Sequence, residues 1–204
     1  MDKTNKITYG FKKLYYATVS EVQGESGVAV EYGTPVLMPG ASSINLSALV
    51  DKILIPADDD PEYATLYDNK GYEGDVVIYN VPDSFLTDCL GMTIDGDTVV
   101  ENKDGKPTPF ALLFEFSGDV HVKRHVMYRC TASKPAVASQ TKGDGTTANQ
   151  VTMTITATPA KDTGNIKRTC GKAESEVYTK WYTTVPLSGG TAAAASTETE
   201  EGNN

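Results

Sequence analysis

The sequence is poor in the residues that build most catalytic and metal sites. Its 204 residues include two histidines, three cysteines and one tryptophan. Three cysteines without a CxxC pair argue against both a disulfide framework and a zinc ribbon, and they favour a reducing compartment. We therefore expect the cysteines to be thiols of the protein core: Cys89, Cys130 and Cys170.

The sequence also lacks a long apolar run and a surplus of basic residues. No stretch approaches the roughly 18 apolar residues of a membrane span, and the first residues, MDKTNKITYG, contain no apolar signal region. The net charge is −9, and it is still −6 without the three glutamates of residues 188–204. Because nucleic-acid affinity comes largely from Lys and Arg, we expect a soluble protein that does not grip DNA.

Alternating apolar residues are the main positive signal. Every second residue from Phe110 to Phe116 is apolar, and the same spacing returns from Val120 to Tyr128 after a Ser-Gly-Asp break at 117–119. Period-two patterns on both sides of a turn signal predict a hairpin over 110–130.

Shorter patterns predict the other elements. Further strands are expected at 6–19 (a strand or arm), 44–48 with a possible extension over 51–56, 75–82, 151–158 and 178–186, with a small hairpin around Asp95-Gly96. Residues 82–91 have helical spacing, 143–147 suggest a glycine turn, and the acidic stretch 57–74 suggests a long exposed loop. The sum is an all-β domain of about eight strands and one helix over 1–187, then a disordered low-complexity tail over 188–204.

No active site or cofactor site emerges from the motifs. His121 and His125 are predicted to share one strand, about 13 Å apart at about 3.3 Å per residue, so they cannot bind one metal ion together. The acids Asp58, Asp59, Asp60 and Glu62 lack the alternating spacing of a calcium loop. We predict no catalytic residue, metal or cofactor, and hence no enzyme.

The order of several segments is similar to that of a known family. The segments are ITYGFKKLYYATV, YGTPVLMPGA, NKGYEGDVVIYNVPDSFLTDCLG, PFALLFEFSGDVHVKRHVMYRCTASKP and VTMTITATP, and the likeness covers roughly residues 6–187. In this order they resemble the major tail proteins, or tail tube subunits, of long-tailed phages that infect Gram-positive bacteria. The matching motifs are structural, so the resemblance supplies no catalytic residues.

The resemblance implies a β-sandwich or open barrel with a flanking helix, assembled as stacked hexameric rings in the phage tail. It implies contacts with copies of itself and with tail terminator, tape measure and baseplate proteins, assembly in the host cytoplasm, and DNA passing without specific binding. We expect one strand face with Thr or acidic residues to line the channel. The 57–74 stretch and the N-terminal arm would bridge subunits, which makes these candidate interface residues: Tyr9, Phe11, Tyr15, Asp58, Asp59, Asp60, Tyr63, Tyr67 and Tyr72.

Two other classes of protein stay open. A surface adhesin or carbohydrate-binding β-sandwich would use an aromatic groove, with Tyr63, Tyr67, Tyr72 and Trp181 as candidates. A cupin-type metal enzyme would centre on His121 and His125, but the sequence has no further histidine to complete its ligand set.

Overall fold

The fold is all-β with an open sheet, and 56% of the described residues lie in strands. The computed structural model describes residues 4–25, 27–139 and 148–187. The strands are β1 (Thr8–Gly24), β2 (Gly27–Tyr32), β3 (Val36–Leu37), β4 (Ala41–Ala57), β5 (Asp60–Ile78), β6 (Thr93–Asp95), β7 (Thr98–Val100), β8 (Phe110–Gly118), β9 (Lys123–Ala132), β10 (Val151–Thr158) and β11 (Lys167–Cys170). The helices are α1 (Asp83–Leu90) and α2 (Glu176–Thr179).

Nine strands form one antiparallel sheet. Its order is β2-β1-β8-β9-β10-β5-β4, with β11 added beside β9 and β3 beside β1. The strands β6 and β7 form a separate hairpin. The sheet does not close, so β2 and β4 are its two outer strands.

The predicted hairpin over 110–130 is confirmed as the pair β8 and β9. Strand β8 is buried along nearly its whole length, because both of its faces are covered. Val120 and His121 lie in the connection between the strands rather than in a strand, which places His121 off the strand predicted to carry it.

The first face of the sheet carries the larger core. Helix α1 buries Phe85, Cys89 and Leu90 against it, and Phe85 makes edge contacts with the rings of Tyr16 and Phe110. The helix ends at Gly91, whose φ of 71° is a left-handed conformation that favours glycine. The helix predicted over 82–91 is therefore confirmed.

The second face is covered by the last described segment of the chain. Trp181 and Val185 pack there against Leu113, Val126 and other core residues. Residues 178–186 were predicted to form a strand, and this prediction is wrong: α2 and a series of turns replace it. The helix begins because the side chain of Ser175 accepts a hydrogen bond from the Tyr178 amide.

The prediction of a long exposed loop over 57–74 is also wrong. Most of this stretch belongs to β5, which pairs with β4 from Ala41–Ile78 out to Ala57–Asp60. Asp58 and Asp59 form the turn, with φ angles of 52° and 60°. Aspartate tolerates this left-handed conformation, so two adjacent acids close a hairpin instead of marking a loop.

Other predictions have mixed outcomes. The small hairpin around Asp95-Gly96 and the alternating strand at 151–158 are confirmed. Cys89 and Cys130 are buried as expected, whereas Cys170 is only partly buried. The described residues contain eleven strands and two helices, more than the eight and one predicted. The glycine turn at 143–147 and the tail at 188–204 lie outside the described residues.

Candidate assembly surfaces

The hairpin of β4 and β5 extends well beyond the rest of the sheet. Strand β10 pairs with β5 only between Tyr72 and Ile78, so residues 60–70 pair with β4 alone. We call residues 49–71 the arm. At about 3.4 Å per residue, its part beyond Val50 is roughly 25 Å long. The arm is a two-stranded ribbon, a structure of marginal stability in water when isolated.

Both faces of the arm expose apolar side chains. Cross-strand partners share a face, and the register pairs Ile53 with Leu66 on one face and Lys52 with Tyr67 on the other. Leu66 is 54% exposed and Tyr67 is 70% exposed. The complete set of exposed large apolar residues on the arm is Leu49, Val50, Ile53, Leu54, Ile55, Tyr63, Leu66 and Tyr67. A contiguous exposed apolar surface of this kind is typical of an interaction site.

The root of the arm is fixed by a glycine. Gly71 is buried with a φ of 127°, and a methyl group there would overlap the carbonyl oxygen of Ala157 in β10. Lys167 donates a hydrogen bond to the Tyr72 hydroxyl at 2.5 Å and lies over the Tyr72 ring. These contacts hold the root of the arm on the sheet.

A polar patch lies on the second face of the sheet, across β4, β5 and β10. The register aligns three rows of residues: Ser43–Val77–Thr152, Asn45–Asp75–Thr154 and Ser47–Glu73–Thr156. Thr154 donates a hydrogen bond to Asp75 at 3.0 Å and Thr156 donates one to Glu73 at 3.2 Å. We call these nine residues the polar patch. It carries two carboxylates and no lysine or arginine.

The predicted interface residues fall into two groups. Asp58, Asp59 and Asp60 lie exposed at the arm tip, and Tyr63 and Tyr67 are exposed along the arm. The structure therefore brings these five together on one protruding element.

The remaining candidates lie elsewhere. Tyr72 packs against the core at the arm root, and Tyr9 is exposed near the start of β1. The Phe11 ring contacts Phe114 and Phe116, while Tyr15 stacks on Tyr182 at 4.5 Å between centroids. The part of β1 that carries Tyr9, Phe11 and Tyr15 pairs with β8, so it is not a free arm.

The histidines form no metal site in the described part of the chain. No group of three or more His, Cys, Asp or Glu residues could hold an ion there. His125 stacks on Phe114 with ring centroids 5.1 Å apart, and its Nε2 is buried without a hydrogen-bond partner among the described residues. Burial lowers the pKa of His125 to about 4, with smaller contributions from Lys123 and Lys167. His125 is therefore a neutral, half-buried residue at pH 7.

Buried charges attach the last segment to the sheet. Glu115 accepts hydrogen bonds from Arg124 and from the Tyr182 hydroxyl, both at 3.2 Å, and pairs with Lys13 at 3.3 Å. The Arg124 guanidinium also donates to the Tyr178 carbonyl and lies 3.7 Å from the centre of the Tyr178 ring. Each buried charge is thus paired and hydrogen-bonded, which is the condition for tolerating it.

A carbohydrate groove is not supported by the placement of the aromatic residues. Trp181 is completely buried in the second core, where its indole N–H donates to the His125 carbonyl. Tyr63 and Tyr67 lie on the arm, whereas Tyr72 is held at the arm root by Lys167. The four candidates therefore do not form one exposed surface.

The sequence prediction missed the apolar residues of the arm, such as Ile53 and Leu66. Their signal was present, because the register pairs apolar residues of KILIP with those of YATLY across a two-residue Asp-Asp turn. The polar content of 57–74 outweighed that signal.

Comparison with known proteins adds no assignment. No protein-family model matches the chain, and no curated protein matches it at a significant level. Within the described residues, no helix has both the length and the apolar character needed to cross a membrane.

Proposed function

We propose that this protein is the structural subunit of a phage tail tube. In this proposal, copies join into hexameric rings, and stacked rings form the conduit through which DNA leaves the virion. The proposal rests on the resemblance given above and on one structural observation. That observation is the arm, a ribbon of about 25 Å that leaves the sheet with apolar side chains exposed on both faces.

The arm supports self-assembly because no other described residue of its own chain covers its apolar side chains. A two-stranded ribbon with two apolar faces gains stability when it packs against another surface. The outer strands β2 and β4 also present unpaired backbone edges that can pair with another chain. When one surface of a subunit binds a different surface of the next identical subunit, the subunits form a closed ring if the rotations between neighbours add up to a full turn.

The polar patch is proposed to line the channel. Its hydroxyl and amide groups can hydrate, and its two acids, Glu73 and Asp75, repel the phosphates of DNA. A channel without Lys or Arg at these positions would let the DNA slide through, because no basic side chain there would bind its phosphates. The carboxylates are oriented by Thr154 and Thr156, which fixes the negative charges on the surface.

Assembly can be tested by sedimentation and negative-stain microscopy of the purified chain at rising concentration. We expect rings or tubes of uniform diameter. The substitutions Ile53→Thr and Leu66→Thr, made together, remove one apolar pair of the arm and keep residues suited to strands. We expect this variant to fold and to need a clearly higher concentration to polymerise.

The matched control is Ile94→Thr. Ile94 is 66% exposed on the β6–β7 hairpin, so the change removes a similarly exposed apolar group away from the arm. We expect it to polymerise like the unchanged chain. A chain that stays monomeric at every concentration and binds glycans would refute the tube proposal and favour the adhesin class.

A further inference from the structure

A partner of the arm should cover its two apolar faces and complement its negative charge. Ile53 and Leu66 lie on one face and Tyr67 on the other, and the sheet of the same chain ends at Tyr72. No other described part of the chain covers the arm. If the protein assembles as proposed, the most abundant molecule available to the arm is a second copy of this chain.

The arm is strongly acidic. Residues 49–71 contain six acidic and two basic residues, a net charge of −4. Lys70 pairs with Asp51, and Lys52 lies 3.8 Å from Glu62, so the two bases are already engaged. Asp58 and Asp59 at the tip are exposed and have no ion pair within the described residues. A partner surface should therefore be basic.

Such a surface lies at the end of the sheet where β1 begins and β8 connects to β9. Lys6, Lys12 and Lys123 are exposed there, and none forms an ion pair with another described residue. Asp119 also lies at this end, where its carboxylate accepts the Lys6 amide at 2.9 Å.

The register places two of these lysines on opposite faces of the sheet. Lys12 is the partner of Glu115 in β8, and Lys123 is the partner of Phe116, the next residue of β8. Successive residues of a strand point to opposite faces. This end of the sheet therefore presents positive charge to a ribbon arriving from either side.

We propose that the arm of one copy docks on this lysine-bearing end of a second copy, with its acidic tip beside Lys12 and Lys123. This inference rests on the tail tube function proposed above and names the surface that receives the arm. The apolar faces supply most of the binding, because apolar groups dominate the buried centres of interfaces. The opposite charges select the orientation and speed the encounter.

The experiment reverses charge on each side separately and then together. The arm variant is Asp60→Lys with Glu62→Lys, which leaves the left-handed residues Asp58 and Asp59 unchanged. The end variant is Lys12→Glu with Lys123→Glu. We expect each variant alone to raise the concentration needed for assembly by about tenfold or more, since like charges then face each other. We expect an equimolar mixture of the two to assemble near the original concentration.

The matched control is Asp95→Lys with Asp97→Lys, an equal charge reversal at the turn of the β6–β7 hairpin. It should assemble like the unchanged chain. Circular dichroism melts establish that every variant is folded. Raising the salt concentration from about 0.1 M to about 1 M shortens the screening length from about 10 Å to about 3 Å, so it should also weaken assembly.

The possible failures are distinguishable. If the unchanged chain polymerises and the arm variant behaves like the control, the docking proposal is overturned and the tail tube function stands. If each variant fails alone and the mixture also fails, charge pairing between these two surfaces is refuted. If the unchanged chain never polymerises, both proposals fall.

Discussion

Replacement of Trp181 tests how the last segment is bound to the sheet. The indole is completely buried in the second core, and its N–H donates to the His125 carbonyl at 3.3 Å. Truncation of a buried Trp to Ala costs about 3–5 kcal/mol, and the carbonyl left without its donor contributes to that loss. A domain of ordinary stability has only about 5–15 kcal/mol in total.

Urea unfolding followed by circular dichroism measures this cost. With a slope of about 2 kcal/mol per M, a loss of about 4 kcal/mol lowers the midpoint of Trp181→Ala by about 2 M. Trp181→Phe keeps much of the volume and loses the N–H donor, so we expect a smaller loss, about 1–2 kcal/mol. The control is Tyr63→Ala at a 61% exposed position, with an expected change within about 0.5 kcal/mol.

Fluorescence provides an independent check, because Trp181 is the only tryptophan of the chain. We expect blue-shifted emission that soluble quenchers barely reach in the folded protein and a red shift on unfolding. Emission at the wavelength of a hydrated indole, together with equal midpoints for Trp181→Ala and Tyr63→Ala, would refute this placement of the segment.

Three further predictions concern buried charge, pH and backbone space. Glu115→Gln leaves Arg124 without its carboxylate and should cost about 3 kcal/mol in a urea titration; an unchanged midpoint would contradict this pairing. Because burial lowers the pKa of His125 from 6.5 to about 4, its neutral form stabilises the folded state above pH 6.5, and stability should fall as the pH drops toward 4. His125→Phe should flatten the melting temperature between pH 6.5 and 4.5, and an unchanged slope would count against the assignment. Gly71→Ala should destabilise by more than about 3 kcal/mol, since its methyl group meets backbone, whereas Gly96→Ala, also at positive φ but with open space, should cost about 1 kcal/mol; equal melting temperatures would refute the close approach.

The sequence allowed the all-β class and several elements to be predicted because their signals are local. Apolar residues alternate along β8 and β10 and recur with helical spacing in α1, because these elements bury one or both faces. The order of apolar residues in the sequence shows this directly. The prediction failed where local signals point elsewhere. In β5, exposed polar residues resemble a loop, yet pairing with β4 continues to Asp60.

The second failure has a different cause. Residues 178–186 have aromatic and β-branched residues typical of a strand, but their positions are decided by distant partners. Arg124 holds the Tyr178 carbonyl, and the Tyr128 hydroxyl donates to the Pro186 carbonyl at 2.7 Å. Tertiary contacts of this kind override strand propensity, and no spacing within the segment reveals them.

The candidate surfaces were predictable only in part. The arm tip and its tyrosines were identified from acidity and aromatic content, whereas the three aligned rows of the polar patch depend on register across β4, β5 and β10. Threonine alternation in β10 was visible in the sequence. Its alignment with Asp75 and Glu73, about eighty residues earlier, was not.

The strand order has a consequence for the order of folding during synthesis. Strand β1 finds its partner β8 only after residue 118 has been made, while β4 and β5 are joined by two residues and can pair within microseconds. On the ribosome, the ribbon of β4 and β5 with its exposed apolar residues can therefore form well before the rest of the sheet. Such a chain is exposed to premature association between nascent copies, and cells that make it in quantity would benefit from chaperones or rapid translation over this interval.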